Sequence, residues 1–283
     1  MNFYTLISAI DMGLIYSLVA MGVYLSFRVI NFPDLTVDGS FPLGAAVAAS
    51  LLVNGYSPLL ATLCAIMAGF LAGMVTGLLH TRLKIMGLLA SIITMTALYS
   101  INIRIMGGKP NLGLLNINTL FSYANSTLIL VVIALIALFK LIYFFKTQYG
   151  LSIRASGINS RLSESYGIHT KLNLVLMLAS SNSLVALAGA LFAQSQGFAD
   201  VSIGTGTIVS GLAAVIIGEA LVGTKSISIA LSGCILGALI YRTLIAFALN
   251  LDFLGLQASD LNLMTSTLIV LMLMIASKAG KFR

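Results

Sequence analysis

Side chains able to do covalent chemistry are scarce in this sequence and scattered where they occur. The two histidines, His80 and His169, have no cysteine, histidine or carboxylate at ligand spacing, and no nucleophile–base pair or carboxylate dyad stands out. The two cysteines, Cys64 and Cys234, each lie inside an apolar run, as small buried hydrophobes do. Neither a disulfide framework nor a metal site follows from them. The nearest approach to a phosphate-binding loop is Gly218-Glu-Ala-Leu-Val-Gly223-Thr224-Lys225-Ser226. Such a loop needs its lysine directly after the second glycine and a strand before it. Here the lysine comes one residue late, at the end of an apolar segment. An enzyme is not expected.

The other polar groups worth following sit in two stretches, Asn31-Phe-Pro-Asp-Leu-Thr-Val-Asp-Gly-Ser40 and Gln196-Gly-Phe-Ala-Asp-Val-Ser-Ile-Gly204. Each precedes a short apolar segment, 41–53 and 207–222. Thirteen helical residues cover only about 20 Å, so both read as broken membrane helices with an unwound entry. Unwound backbone at membrane depth is tolerated only against protein or a water-filled cavity. Asn31, Asp34, Thr36, Asp38, Asp200 and Ser202 then either hydrogen-bond freed backbone groups or line a solute path. Gln194 and Gln196 stand at the outer mouth of such a path.

The elements that hold these residues follow from composition. The chain is 59% hydrophobic and 8% charged, against about 25% charged in soluble domains. A chain of 283 residues this apolar needs the bilayer as solvent. Its net charge of +7 falls in short gaps between apolar runs, which points to membrane orientation and not to nucleic acid. Residues 1–27 lack a basic region ahead of the apolar stretch and contain Asp11, so they are read as a retained first helix.

Crossing a bilayer takes about 20 apolar residues. Long candidates run at 3–27, 59–79, 87–106, 127–145, 173–193, 226–249 and 261–277. With the two short segments this makes an all-α bundle of eight or nine membrane segments. Placing the C-terminus in the cytoplasm puts twelve of the fifteen basic residues inside, among them Arg28, Arg82, Lys84, Lys278, Lys281 and Arg283. Arg104 and Lys109 fall outside with Asp200, Asp252 and Asp260, and Arg242 lies within a span. The expected topology is a multi-pass protein of the bacterial inner membrane with its N-terminus out.

An internal repeat organises the chain. Ser17-Leu-Val-Ala20 recurs as Ser183-Leu-Val-Ala186, and Phe32-x-Asp34-Leu-Thr-Val37 as Phe198-x-Asp200-Val-Ser-Ile203, both at an offset of 166 residues. Span lengths align at the same offset. The single transmembrane domain, 1–283, divides into a first repeat at 1–126, a linking helix at 127–145, a cytoplasmic loop at 146–172 and a second repeat at 173–283. Equivalent elements lie five crossings apart, which inverts the second copy. Inverted repeats with broken helices mark transporters.

The loop 146–172 is the longest expected on the cytoplasmic side. Asn159 is a good helix N-cap, 160–166 fit two helical turns, and Gly167 suits their end. The segment is either an ordinary basic loop or a surface helix that seats in a soluble partner. Gly150-x-x-x-Arg154-Ala155, Gly157-x-Asn159 and Tyr166-Gly167-Ile168 resemble the coupling loop of permeases in the branched-chain amino acid class of ABC importers. Ala188-Gly-Ala-Leu191 through Gly211-Leu-Ala-Ala-Val-Ile-Ile-Gly218 is similar to the family's second-half signature, and Asn31-Phe32 with Gly44-Ala45 to its first-half one. The resemblance implies a permease core of two copies or close paralogues, two cytoplasmic ATPase subunits that hold ATP and magnesium, and an extracytoplasmic binding protein. It assigns coupling to Arg154, Asn159, Arg161, Glu164, Tyr166 and Gly167. The 31–40 stretch departs from the commonest branched-chain form and looks more like a subgroup linked with tryptophan or tyrosine uptake. The alternative is an ion-coupled transporter or channel acting alone, which needs buried titratable groups along its path.

Four features stay open at this level. Asp11 is either intramembrane or interfacial. Glu219 either snorkels to the interface or makes a gate or dimer contact. Arg242 pairs with a carboxylate that the sequence does not identify. The stripe Gly69-x-x-x-Gly73-x-x-x-Gly77, with Gly233 and Gly237, allows close helix approach either within one chain or between two.

Overall fold

The computed structural model describes residues 3–123 and 125–249, with Thr267 and Val270 beyond them. The expected span 261–277, the basic C-terminus and the loop with Asp252 and Asp260 lie outside the described residues.

The chain begins with α1 (Phe3–Val23), which widens into a π turn at Tyr24–Val29. Three neighbouring residues end it. Asn31 adopts a left-handed conformation at φ +52°, which asparagine tolerates better than most residues. Phe32 precedes a proline and is therefore biased to extended backbone. Pro33 has no N–H to continue a helix. Helix α2 (Val37–Val53) starts only after this break. The unwound stretch is thus shorter than expected, and Asp38, Gly39 and Ser40 are already helical.

Helices α3 (Pro58–Leu83) and α4 (Gly87–Ile105) lead to the three-residue strand β1 (Asn111–Gly113). Then come α5 (Ser126–Lys146), α6 (Gln148–Ile158), α7 (Ser160–Ser165), α8 (Thr170–Gln196), strand β2 (Phe198–Asp200), α9 (Thr207–Val222) and α10 (Ile227–Leu249). Among the described residues seven helical stretches are long and apolar enough to cross a membrane, and α2 is a shorter apolar helix. The helical bundle expected from composition is what forms. The strands pair antiparallel, Asn111 opposite Asp200 and Gly113 opposite Phe198. They stitch the loop after α4 to the loop after α8 at one end of the bundle.

Side-chain size decides the packing. Along α3, small residues recur every fourth position at Ala61, Ala65, Gly69, Gly73 and Gly77, all buried. Large apolar residues recur every fourth position two places away, at Leu59, Leu63, Met67, Leu71 and Val75, all exposed. Two positions apart is about the opposite face of a helix, so one face suits close protein contact and the other suits lipid. The small face lies on α8. A Cβ on Gly69 would overlap the Asn182 carbonyl and the Ala186 methyl, and one on Gly73 would overlap the Leu178 carbonyl. The glycine stripe therefore serves contact within the chain. Gly218, Gly233 and Gly237 bring α9 and α10 together in the same way.

A buried polar hub fixes the broken helix at the centre. Asp34 accepts hydrogen bonds from the Thr36 backbone N–H at 2.9 Å and from the Asn182 side-chain amide at 2.7 Å. The Ser40 hydroxyl donates to Asn182 Oδ1 at 2.7 Å, and the Thr36 and Thr76 hydroxyls bond at 2.8 Å. All five residues are fully enclosed. The freed backbone of the unwound stretch is thereby tied to α8 and α3, as membrane depth requires.

Candidate functional site

The candidate residues gather in two regions, one at an end of the bundle and one within it. The first is the segment after α5. It is not a loop with one short helix but two helices, α6 and α7. Thr147 caps the first by accepting from Gly150 N–H, and Asn159 caps the second by accepting from Leu162 N–H at 3.1 Å. Gly167 takes φ +77° just past the end of α7. The cap and stop read from the sequence sit where expected.

This segment is fastened to the broken helix. A Cβ on Gly157 would strike the carbonyl of Val29, so α6 lies directly against the end of the π turn. Asn173 at the start of α8 donates to Ser156 at 3.1 Å, and Thr170 donates to Glu164 at 2.5 Å. Displacement of α6 or α7 is therefore felt at α1 and α8. The outer side of the pair stays open: Arg154, Asn159, Arg161, Glu164, Tyr166 and Gly167 are all exposed. So are Ile158 and Tyr166 at 86% and 79%, which is unusual for large apolar and aromatic side chains. A cleft of about 740 Å³ separates this segment from the C-terminal end of α3, with Asn31, His80, Lys84, Asn159, Arg161 and Lys171 among its walls.

The same end carries the ion pair of Arg28 and Glu219, which joins the end of α1 to α9. Glu219 thus has a partner within the chain. Arg242 lies over the Tyr16 ring, 3.5 Å from its centroid, as a cation–π contact; the carboxylate expected for it is absent among the described residues. Asp11 is buried and accepts hydroxyl hydrogen bonds from Ser126 at 2.8 Å and Thr127 at 2.6 Å. It fixes the start of α5 to α1.

The second region surrounds the residues read as path candidates, which separate by position. Asp34 and Thr36 belong to the enclosed hub. Gln194 is buried, donating to Thr62 at 2.9 Å and accepting from Leu120 N–H at 3.1 Å. Gln196 and Ser202 are exposed at the strand end. Asp200 accepts from Ser202 N–H at 2.7 Å, the turn that Asp34 makes with Thr36 N–H. The two acidic residues matched by the internal repeat thus hold the same local geometry. Asn31 borders the end cleft.

Asp38 differs from these. Its two oxygens accept from Ile208 N–H at 2.7 Å and Gly206 N–H at 3.3 Å, capping α9 from another element. A carboxylate suits that position. It also borders a cavity of about 310 Å³ whose other walls are Gly39, Pro42, Met95, Thr96, Tyr99, Asn102 and Thr205. Thr96, Tyr99 and Asn102 belong to α4 and escaped the sequence reading. Threonines and asparagines inside an apolar helix commonly bond back to their own backbone, as Thr96 does. No local pattern marks which of them face a cavity.

The comparisons with known proteins agree with this architecture. The profile of the family described as "Branched-chain amino acid transport system / permease component" matches residues 5–277. A tyrosine transport system permease protein of Clostridioides difficile (strain R20291) is 41% identical, with 94% of this chain and 89% of that one covered. The autoinducer 2 import system permease protein LsrC of Escherichia coli (strain K12 / DH10B) is 30% identical over 78% of this chain and 65% of its own. Among solved structures, a chain of PsaBC from Streptococcus pneumoniae in complex with Fab shares the fold, with a TM-score of 0.54, 16% identity, and coverage of 95% of this chain and 89% of that one. The protein belongs to the branched-chain amino acid transport permease family, and is a multi-pass membrane permease of the ABC importer class.

Proposed function

We propose that this chain is the membrane-spanning half of an ATP-driven importer in the bacterial plasma membrane, passing an amino acid inward. Its N-terminus lies outside and its C-terminus in the cytoplasm. Two copies, or one copy and a paralogue, enclose the path. An extracytoplasmic binding protein delivers solute to the strand end, and two ATP-binding cassette subunits press on α6 and α7. The observation that carries this reading is the α6–α7 pair: an exposed apolar and basic surface, backed without intervening side chains onto the end of the broken helix. A lever needs a face to push and a rigid connection to what it moves, and this segment has both. Two halves of inverted orientation, 1–126 and 173–283, then rock about the enclosed hub. The matching Asp34 and Asp200 turns support that division.

The tyrosine permease named above makes L-tyrosine the first solute to test. The assembled complex in liposomes should accumulate labelled L-tyrosine or another amino acid when ATP and the liganded binding protein are supplied. Accumulation that needs neither, or a purified complex that lacks an ATPase, would contradict the reading in favour of a transporter acting alone.

A further inference from the structure

The cavity beside α4 holds a group that the fold leaves unused. Asn102 is fully enclosed and borders the cavity. Its amide N–H donates to Gly39 O at 3.3 Å, yet its Oδ1 accepts nothing. An acceptor buried without a donor is unfavourable, and a ligand with a donor removes the conflict. The surrounding groups are of the same kind. The Thr96 hydroxyl donates to Ile92 O at 3.0 Å, which leaves its lone pairs open to a ligand. Asp38 supplies a carboxylate, and Tyr99 and Thr205 supply hydroxyls. The lining includes no lysine or arginine.

We infer that this cavity is a low-affinity station for the ammonium group of a passing amino acid, with Asn102 as its orphan acceptor and Asp38 as its counter-charge. The inference rests on the importer reading and deepens it. At about 310 Å³ the cavity is at the small end of ligand pockets, which run from about 300 to 1,000 Å³. It therefore suits a solute of amino-acid size. Met95, Pro42 and the Tyr99 ring give the apolar part of such a solute a surface to lie on. Thr96 and Tyr99 are exposed, so the station opens along α4, beside its α2 wall of Asp38, Gly39 and Pro42. The proposal places this opening on the path of the two-copy permease.

The test uses the complete transporter in liposomes, with L-tyrosine as probe and 3-(4-hydroxyphenyl)propionate as the analogue that lacks the ammonium. ATP-dependent tyrosine uptake by the unaltered complex checks the importer reading by itself. Thr96→Cys, with Cys64 and Cys234 replaced by serine, should react with the polar reagent MTSET at least about tenfold faster than Leu135→Cys on the exposed face of α5. Labelling should block uptake. L-Tyrosine should slow labelling, and the deaminated analogue should not. Asn102→Leu should lower tyrosine uptake by about tenfold, as expected for losing one hydrogen bond to a charged group. Slow labelling of Thr96→Cys, equal protection by the analogue, or a folded Asn102→Leu complex with unchanged uptake would each overturn the station while leaving the importer reading intact.

Discussion

Replacing Asp34 tests whether the broken helix is held by its polar hub. Asp34→Ala removes the acceptor of two buried donors, the Thr36 backbone N–H and the Asn182 amide. Each donor left without a partner costs about 1–3 kcal/mol, so the pair costs about 2–6 kcal/mol. A chain of this size loses roughly 2–4 °C of melting temperature per kcal/mol. The expected drop is therefore on the order of 5–20 °C, read as loss of the monodisperse peak after heating in detergent. Asp34→Asn keeps an acceptor for Thr36 but turns an NH₂ toward Asn182, and should fall about midway. Asp34→Ala that melts within about 2 °C of the unaltered protein refutes the hub. If it also fails to transport, the carboxylate serves the solute path directly.

Further outcomes follow from the packing. Gly73→Leu drives a side chain into the Leu178 backbone, which cannot yield as a flexible side chain can, and should abolish the folded peak. Gly113→Ala meets nothing within 4 Å and should leave it unchanged. Asp11→Ala removes two hydroxyl hydrogen bonds at the start of α5 and should lower the melting temperature by several degrees, at about 1 kcal/mol or more per bond. A double-mutant cycle on Arg28 and Glu219 should give a coupling below about 1 kcal/mol, because the Arg28 side chain is 44% exposed and water screens the pair. A much larger coupling would mean that this end of the bundle is sealed from water.

Features with a local cause were readable before the fold was known. The spans follow from apolar length, the break after α1 from Asn31 and Pro33, and the two ends of α7 from Asn159 and Gly167. Asp34 and Asp200, matched by the internal repeat, make like turns onto the Thr36 and Ser202 N–H groups, a geometry that the repeat alone did not specify. What sequence did not reveal depends on contacts between distant segments. Glu219 finds Arg28 and Arg242 finds Tyr16 only through helix packing. Helix α6 was hidden because its Gly150 and Gly157 disfavour a helix, and both are glycine to admit neighbouring backbone at Phe144–Phe145 and Val29. Strand β1 forms only because β2 meets it. The cavity beside α4 needs three separate segments to converge, so Asn102 looked like one more polar residue in a helix. Within the polar stretches 31–40 and 196–204, the carboxylates of Asp34, Asp38 and Asp200 are spent on holding backbone N–H groups.

The most direct measurement of the central claim is disulfide crosslinking from α7 to the companion ATPase. Leu162→Cys, on the exposed side of α7, is paired with cysteines along the top of the ATPase in sealed inside-out vesicles. A permease–ATPase adduct is expected, with a yield that changes when ATP binds. No adduct from any position of α7, in vesicles that still move the solute without ATP, would contradict it.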